Sequence, residues 1–209
     1  MTTYTWLGVS APWTSASFWS VDGTQNGSVP GAPDAALVAA PGSYTITIGT
    51  VSVDTVNISD PSATLQVNTQ FSAGIAVSSG GLVSAGTINV AAAGTLLDSG
   101  TTFDNTGTIM LAAGAEFSLT APVTTGALGT FVNNGGTVIL PSVNNTGGTL
   151  SSLALGNVVL TSVTGGVIRN DGGTLTLPIA TPVQAMQAPS MASRSKEYSS
   201  PVANSSPAD

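Results

Sequence analysis

The amino-acid sequence predicts an all-β fold: a short right-handed parallel β-helix (β-solenoid) with an aromatic N-terminal cap or small β module. Apolar residues alternate with polar ones in short runs, and Gly with Asn, Ser or Asp closes each run. The phrase "NDGGTLTL" at 170–177 has relatives upstream, "NTGTIML" at 105–111 and "NNGGTVIL" at 133–140. Near-repetition of short strands is typical of solenoids, in which each coil buries its apolar side chains only against its neighbours. A β-sandwich is the alternative.

Composition divides the chain into three predicted regions. Residues 1–62 hold six of the eleven aromatic residues and are predicted to form the aromatic-rich N-terminal β module or cap. Residues 63–178 are predicted to be the solenoid repeats. Residues 179–209 are rich in Pro, Ser and Ala and have no apolar period, which predicts a disordered tail.

Apolar residues in the middle region recur with a period of two, which indicates strands because successive strand side chains point to opposite faces. Helix is disfavoured since Gly, Thr, Val and Asn are weak helix formers. The pairs predicted to face the core are Leu65/Val67, Ile88/Val90, Ile109/Leu111, Phe117/Leu119, Val138/Leu140, Val158/Leu160 and Leu175/Leu177.

The threonines that open related phrases indicate the length of one coil. Thr87, Thr108, Thr137, Thr149 and Thr174 are separated by 21, 29, 12 and 25 residues. We expect the three longer gaps to span one coil each and the gap of 12 to lead to a second face of the same coil.

The scarcity of charge excludes several classes of function. Only 6% of residues are charged, and the net charge of −7 reflects just three Lys and Arg residues. Nucleic acid is therefore not an expected partner, because phosphates are held by Lys and Arg. The chain has no Cys and no His, so we expect no metal site, no cofactor and no Cys or His catalysis. No apolar run approaches the roughly 20 residues of a membrane-spanning helix, so membrane insertion is not expected.

Four residues in the N-terminal region are candidates for ligand binding. Exposed indole rings of Trp6, Trp13 and Trp19 could stack on sugar rings, although large aromatics more often form core. Asp34, in "PGAPDAAL", could bind calcium, but a carboxylate that caps a turn is the commoner role.

Catalysis of glycoside hydrolysis would require two carboxylates about 5 to 10 Å apart. The sequence offers Asp54 with Asp60, or Asp98 with Asp104 and Glu116. Each acid stands in a turn-like context, where a solvated carboxylate is ordinary. We therefore expect that the protein is not an enzyme.

Two outward-facing patterns complete the sequence evidence. The pairs Thr45/Thr47 and Thr174/Thr176 suggest a threonine ladder of the ice-binding kind, but Asn89 and Met110 interrupt it. Met110, Ile139 and Val159 alternate with the predicted core and would face water. We expect that bulged strands invert their facing or that another sheet of the molecule covers these residues, and a contact surface is the alternative.

The lead-in "YTWLGVSAPWTSASFWS" at 4–20 and "VPGAPDAALVAAPGSYTITI" at 29–48 resemble the start of β-helical modules in bacterial surface and secreted proteins. The later "NTGTI" and "NNGGTV" phrases are similar to repeats of autotransporter passenger domains and haemagglutinin-like adhesins. The resemblance covers about 1–178. It implies an extracellular or bacterial cell-surface location and a role in adhesion or matrix.

The expected function is accordingly that of a non-catalytic, secreted or cell-surface, structural or adhesive protein. The alternative is a carbohydrate-binding or carbohydrate-acting β-helix module. The expected partners are cell-surface or extracellular glycans, or further copies of the chain.

Overall fold

The predicted fold class is confirmed by a computed structural model. It is all-β, with 54% of residues in strands and 4% in helices, and its parallel coils stack into a solenoid of about five turns. The structure describes residues 1–25, 27–68, 74–144, 146, 149–153, 157–160, 163–164, 167–171, 174–176 and 186–187.

The described residues form 24 strands and two short 3-10 helices, Ala16–Phe18 and Gly126–Leu128. The strands of the first half are β1 Thr3–Trp6, β2 Ala11–Pro12, β3 Trp19–Val21, β4 Thr24–Gln25, β5 Ala35–Val38, β6 Tyr44–Ile48, β7 Val51–Ile58, β8 Ala63–Val67, β9 Gly74–Ser84, β10 Thr87–Val90, β11 Thr95–Asp98 and β12 Phe103–Asn105. Those of the second half are β13 Thr108–Leu111, β14 Glu116–Leu119, β15 Val123–Thr124, β16 Thr130–Asn133, β17 Thr137–Leu140, β18 Val143–Asn144, β19 Thr149–Leu153, β20 Asn157–Leu160, β21 Val163–Thr164, β22 Val167–Asp171, β23 Thr174–Thr176 and β24 Met186–Gln187.

Each coil contributes strands to three faces in a fixed chain order. Face 1 is the parallel ladder of β2, β6, β8, β10, β13 and β16. Face 2 contains the first parts of β7 and β9, followed by β11, β14, β17, β20 and β23. Face 3 contains β1, β5, the second parts of β7 and β9, and β12. Further along the chain, the sheet β15-β18-β21 takes the position of face 3 in the order of strands, and the sheet β19-β22-β24 takes the position of face 1.

Register on face 1 shows the coil length directly. Ile46, Leu65, Ile88, Ile109 and Phe131 stand opposite one another on successive strands. They are 19, 23, 21 and 22 residues apart in the chain. Because every one of these pairings is parallel, the sandwich alternative is excluded for this region.

The threonine spacing was interpreted correctly only in part. Thr87 does stand opposite Thr108, one coil on, but the next member of that column is Thr130. Thr137 belongs to face 2, where it pairs with Glu116. Thr149 likewise stands opposite Val167, and Thr174 belongs to face 2. The gaps of 29 and 25 therefore each span one coil and a change of face, whereas the gap of 12 leads to another strand in the same coil, as predicted.

The inward side chains form one continuous hydrophobic core. Aliphatic columns such as Leu65, Ile88 and Ile109 are fully buried. Phe117 lies between Phe103 and Phe131, with ring centroids at 5.5 and 5.3 Å. Burial of these residues is the main favourable term, since each coil removes apolar area from water only by stacking on the next.

In the strands that contain Met110 and Ile139, buried and partly exposed side chains alternate regularly, although we expected these strands to turn their side chains the other way. Met110, Ile139 and Val159 are partly exposed, and the residues that flank the first two are buried. Ile139 stands opposite Val159 on face 2. The expectation of inverted strands is therefore wrong, and these apolar side chains lie on the outer surface.

The N-terminal region joins the stack without a break in the parallel ladder. Strand β1 pairs in parallel with β5, and β6 pairs in parallel with β8 across the predicted boundary at residue 62. On its outer edge β1 pairs with β3 in antiparallel orientation, and β3 pairs with β4 in the same way. This hairpin covers the first edge of face 3, which would otherwise be open for pairing.

The predicted tail, residues 179–209, lies outside the described residues except for β24. That strand pairs in parallel with β22, so Met186 stands opposite Ile168. Within the described part of the chain, no helix has the length and apolarity needed to cross a membrane.

Candidate functional site

The three tryptophans lie inside the first coil. Trp6 and Trp19 have no exposed surface, and Trp13 is 1% exposed. Their indole nitrogens donate to backbone carbonyls of Val9 at 2.9 Å, Pro30 at 3.4 Å and, from Trp19, Trp13 itself at 2.8 Å. Buried indoles with satisfied N–H groups are typical of a core.

Ring geometry agrees with that role. Trp19 lies edge-on between Trp6 and Trp13, with ring centroids at 4.8 and 4.7 Å, and Phe18 packs edge-on against Trp6 at 5.9 Å. T-shaped contacts of this kind add stability beyond the area they bury. The structure thus brings the three predicted residues together, but no indole face is open to a sugar ring.

Asp34 lies in the turn before β5 and binds backbone rather than a ligand. Its carboxylate accepts the N–H of Gly31 and that of Thr2, each at 3.3 Å. Its carbonyl accepts the N–H of Asp54 at 2.8 Å from the next coil. These contacts fit the turn-capping role that was weighed for it.

The first pair of candidate acids, Asp54 and Asp60, is engaged in local contacts. Asp54 lies at the corner between faces 2 and 3, at the register shift in β7, and accepts bonds from the hydroxyls of Ser79, Ser78 and Thr55. The bond from Ser79 is the first cause of the lowered pKa of Asp54. Asp60 is buried and accepts the N–H of Ser62 at 2.8 Å.

The second group of acids is divided among the interior and two faces. Asp98 is 2% exposed and accepts the N–H groups of Gly100 at 2.8 Å and Leu82 at 3.3 Å. Burial raises the pKa of its carboxyl above the usual value. Asp104 is exposed on face 3, whereas Glu116 points outward from face 2. These three carboxylates therefore do not converge on one site.

Face 3 contains a groove where its ladder breaks. Strand β12 pairs with β9 on one edge, but no ladder joins its other edge to β15, within a stretch that is described throughout. A hollow of about 440 Å³ occupies this break, and a second hollow of about 320 Å³ adjoins it beside the paired strands β15 and β18. We call them together the face-3 groove; it is lined by Thr101, Thr102, Phe103, Asp104, Pro122, Val123, Thr124, Ala127, Ser142 and Asn144.

One wall of the groove is held by a buried amide. Asn105 donates from Nδ2 to the carbonyls of Leu128 at 2.9 Å and Gly107 at 3.3 Å, while its Oδ1 is buried without a hydrogen-bond partner. Gly129 passes so close to Asn105 that a Cβ there would collide with its backbone carbonyl. This contact fixes the helical turn Gly126–Leu128 beside the groove.

The outer surface of face 1 is regular and uncharged. One column consists of five threonines in register, which we call the threonine column: Thr45, Thr64, Thr87, Thr108 and Thr130. Sequence reasoning missed it because Thr64 follows Ala63 and not a Gly, and because Thr130, although it follows Gly129, was not aligned with the other phrases. The aligning signal is instead the inward residue that follows each threonine.

The neighbouring column on face 1 contains several residue types, and Asn89 and Met110 interrupt a threonine ladder there, as predicted. It runs through Thr47, Gln66, Asn89, Met110 and Val132. The amides of Gln66 and Asn89 bond to each other at 2.8 Å. No outward residue of either column is charged.

In the described part of the chain, no three or more His, Cys, Asp or Glu side chains come together in a way that could hold a metal ion. No protein-family model, curated protein or solved structure matches the chain. The resemblance to autotransporter passenger domains and haemagglutinin-like adhesins stays a prediction.

Proposed function

We propose that the protein is a non-catalytic structural or adhesive protein, secreted or displayed at a bacterial cell surface. The observation that carries the proposal is face 1, where five successive strands, β6, β8, β10, β13 and β16, present one unbroken column of threonines and no charged side chain. A surface of this kind can contact another without burying an unpaired charge, which would cost several kcal/mol per ion.

The distribution of charge supports face 1 as the contact surface. The chain has a net charge of −7, and its exposed or partly exposed acids lie elsewhere, for example Asp54 at a corner, Asp104 on face 3 and Glu116 on face 2. Contact through those faces with another acidic surface would meet like-charge repulsion. Face 1 avoids that repulsion.

The size of face 1 favours many weak contacts over one stable partner. Five strands about 4.8 Å apart, each with four or five residues, give an area of roughly 350 Å². A standard protein interface buries about 800 Å² on each side. Adhesion through this face therefore depends on many displayed copies that act together.

Attachment of displayed protein tests the proposal. Cells that carry the chain on their surface are expected to attach to an uncharged, hydroxylated polysaccharide film. Replacing Thr87 and Thr108 by Lys puts two charges on face 1 and should abolish attachment. The matched control places the same two charges on adjacent strands of face 2, at Ser118 and Ile139, which stand opposite each other, and should leave attachment intact. Equal attachment of both variants would contradict a role for face 1.

A second candidate function is carbohydrate binding, and the face-3 groove is the observation that favours it. Hydroxyl groups, one carboxylate and apolar carbon surfaces meet there, which is the mixture that sugar rings require. Asp104 is the one carboxylate among the groove's lining residues, so we propose binding and not hydrolysis, which needs two. A glycan array with the wild-type chain tests this candidate, and an array without any bound glycan would count against it.

A further inference from the structure

The single carboxylate in the face-3 groove favours sugar chains that carry a positive charge. We propose that the groove binds an amine-bearing oligosaccharide, whose ammonium group pairs with the carboxylate of Asp104. The inference rests on the second candidate function, carbohydrate binding, and narrows it to one chemical class.

The groove has the extent to hold more than one sugar unit. Its two hollows, of about 440 and 320 Å³, share Pro122, Val123 and Thr124, so they adjoin along β15 and together form an open surface channel from β12 towards β18. Sites for small molecules have volumes of about 300 to 1,000 Å³. The channel crosses successive coils and is open to solvent, which suits a chain better than an enclosed monosaccharide.

The hydroxyl groups of the groove keep bonding capacity for a ligand. Thr101 donates its hydroxyl to the carbonyl of Ser79 at 3.2 Å, which leaves oxygen lone pairs to accept. Thr124 accepts the N–H of Ala127 at 3.2 Å, which leaves its hydroxyl hydrogen to donate. Apolar surface is offered by Pro122, Val123 and the partly buried Phe103, whose ring packs against Phe117.

Charge decides the class of sugar. The carboxylate of Asp104 is exposed and accepts no hydrogen bond from the described residues. The first basic residue in the chain is Arg169, so no lysine or arginine in the stack before it can neutralise this carboxylate. A cationic ligand can pair with this exposed carboxylate, whereas an acidic polysaccharide is repelled by Asp104 and by the net charge of −7.

Asn105 is a positioning residue for this site. Its amide holds the carbonyl of Leu128 at 2.9 Å and thereby keeps Ala127 at the groove wall. The side chain itself is fully buried beneath the strand and does not reach the ligand.

Titration calorimetry with a matched pair of probes tests the inference on the full chain. The probes are a β-1,4-linked glucosamine tetramer, which carries amines, and its fully N-acetylated form, which is neutral. The amine form should bind, and the affinity should fall as salt is added. Asp104→Asn should weaken binding about tenfold, because hydrogen bonds to charged groups are the stronger kind.

A matched variant separates a site from general attraction to an acidic protein. Glu116→Gln removes one carboxylate from face 2 and should leave the affinity for the amine form unchanged. Equal loss in Asp104→Asn and Glu116→Gln would overturn the proposed site. Equal binding of the neutral and amine forms would overturn the charge selection and leave carbohydrate binding itself intact. Absence of binding by both forms would overturn the inference, and the glycan array would then decide separately whether another sugar binds.

Discussion

The N-terminal cap and the coils that follow it hold together in different ways. We define the cap as residues 3–25, which contain β1 to β4, and the coils as residues 63–119, from β8 to β14. The cap uses an antiparallel hairpin and three interlocked indoles. The coils use parallel ladders and columns of aliphatic side chains in register.

This difference follows from the number of neighbours that each region has. A coil is covered on both sides, so small and medium side chains at the same inward positions fill the space between repeats. Among the described residues, the coil that contains β1 and β2 is stacked on a following coil only, and the hairpin of β3 and β4 lies on its other side. Its end must be closed by larger side chains and by a strand that turns back, otherwise apolar surface and backbone groups remain open to association.

The largest expected effect comes from the cap. Trp19→Ala removes the central indole, which is fully buried and touches both other tryptophans. We expect a loss of about 3 to 5 kcal/mol in the free energy of unfolding, together with oligomers formed through the opened end. Chemical denaturation and size-exclusion chromatography measure the two effects.

Trp19→Phe serves as the control for that experiment. It keeps an aromatic ring in the cluster but loses the hydrogen bond of 2.8 Å to the carbonyl of Trp13. It should cost less than Trp19→Ala and stay monomeric. A stable, monomeric Trp19→Ala variant would show that the cluster does not close the stack.

A comparable change inside the coils should destabilise without opening an end. Ile88 is fully buried between Leu65 and Ile109. Ile88→Ala is expected to lower the free energy of unfolding by about 2 to 5 kcal/mol and to leave the protein monomeric. The outward neighbour Thr87→Ala should change stability by under about 0.5 kcal/mol. Oligomers of Ile88→Ala would remove the distinction between cap and coil.

Close approach of backbones at the corner of two coils gives a third test. A Cβ on Gly100 would collide with the backbone of Gly81, one coil away. Gly100→Ala should therefore cost about 1 to 3 kcal/mol by melting or denaturation. At Gly49 a Cβ meets open space, so Gly49→Ala should be neutral or slightly stabilising. Equal effects at both positions would contradict the tight stacking of the coils.

The smallest effects concern pH, and they should have opposite signs at two acids. Burial raises the pKa of Asp98, so its protonated form favours the folded state: that stability is present below the unfolded pKa and is lost as pH rises through the folded pKa. Hydrogen bonds, first from Ser79, lower the pKa of Asp54, so its contribution is present above the unfolded pKa and is lost as pH falls through the folded pKa.

Melting curves of two variants from pH 3 to 7 measure these signs. Relative to Asp98→Asn, the wild type should gain stability as the medium is acidified. Relative to Asp54→Asn, it should lose stability over the same range. Parallel profiles for the two variants would show that the two carboxyls do not differ in environment as the structure indicates.

The sequence predicts the solenoid because the alternation of apolar with polar residues and the glycines at corners depend only on residues that are close together in the chain. Inward pairs such as Leu65/Val67 and Ile88/Val90 were identified from their period alone and are buried. Which strands stand opposite one another depends on loop lengths that vary between coils. For that reason the pairing of Thr108 with Thr130 was not predicted, although each of the two threonines follows a Gly.

The candidate sites were harder to predict than the fold. A tryptophan's chemistry is the same in a core and on a surface, so the burial of Trp6 and Trp13 follows only from the coil built around them. The face-3 groove exists because β12 and β15 do not pair. No residue type signals the absence of a ladder, although Asp104 was among the acids singled out.

A distance measurement tests the central claim, that the coils stack in register with one rise per coil. The chain has no Cys, so Cys residues introduced in pairs at Thr45, Thr108 and Thr130 of the threonine column can be spin-labelled specifically. Double electron–electron resonance should give a narrow distribution of label-to-label distances for each pair. The Thr45–Thr130 distance should exceed the Thr45–Thr108 distance by about 4.8 Å. Broad distributions, or a Thr45–Thr130 distance that is equal or shorter, would contradict the stacked solenoid.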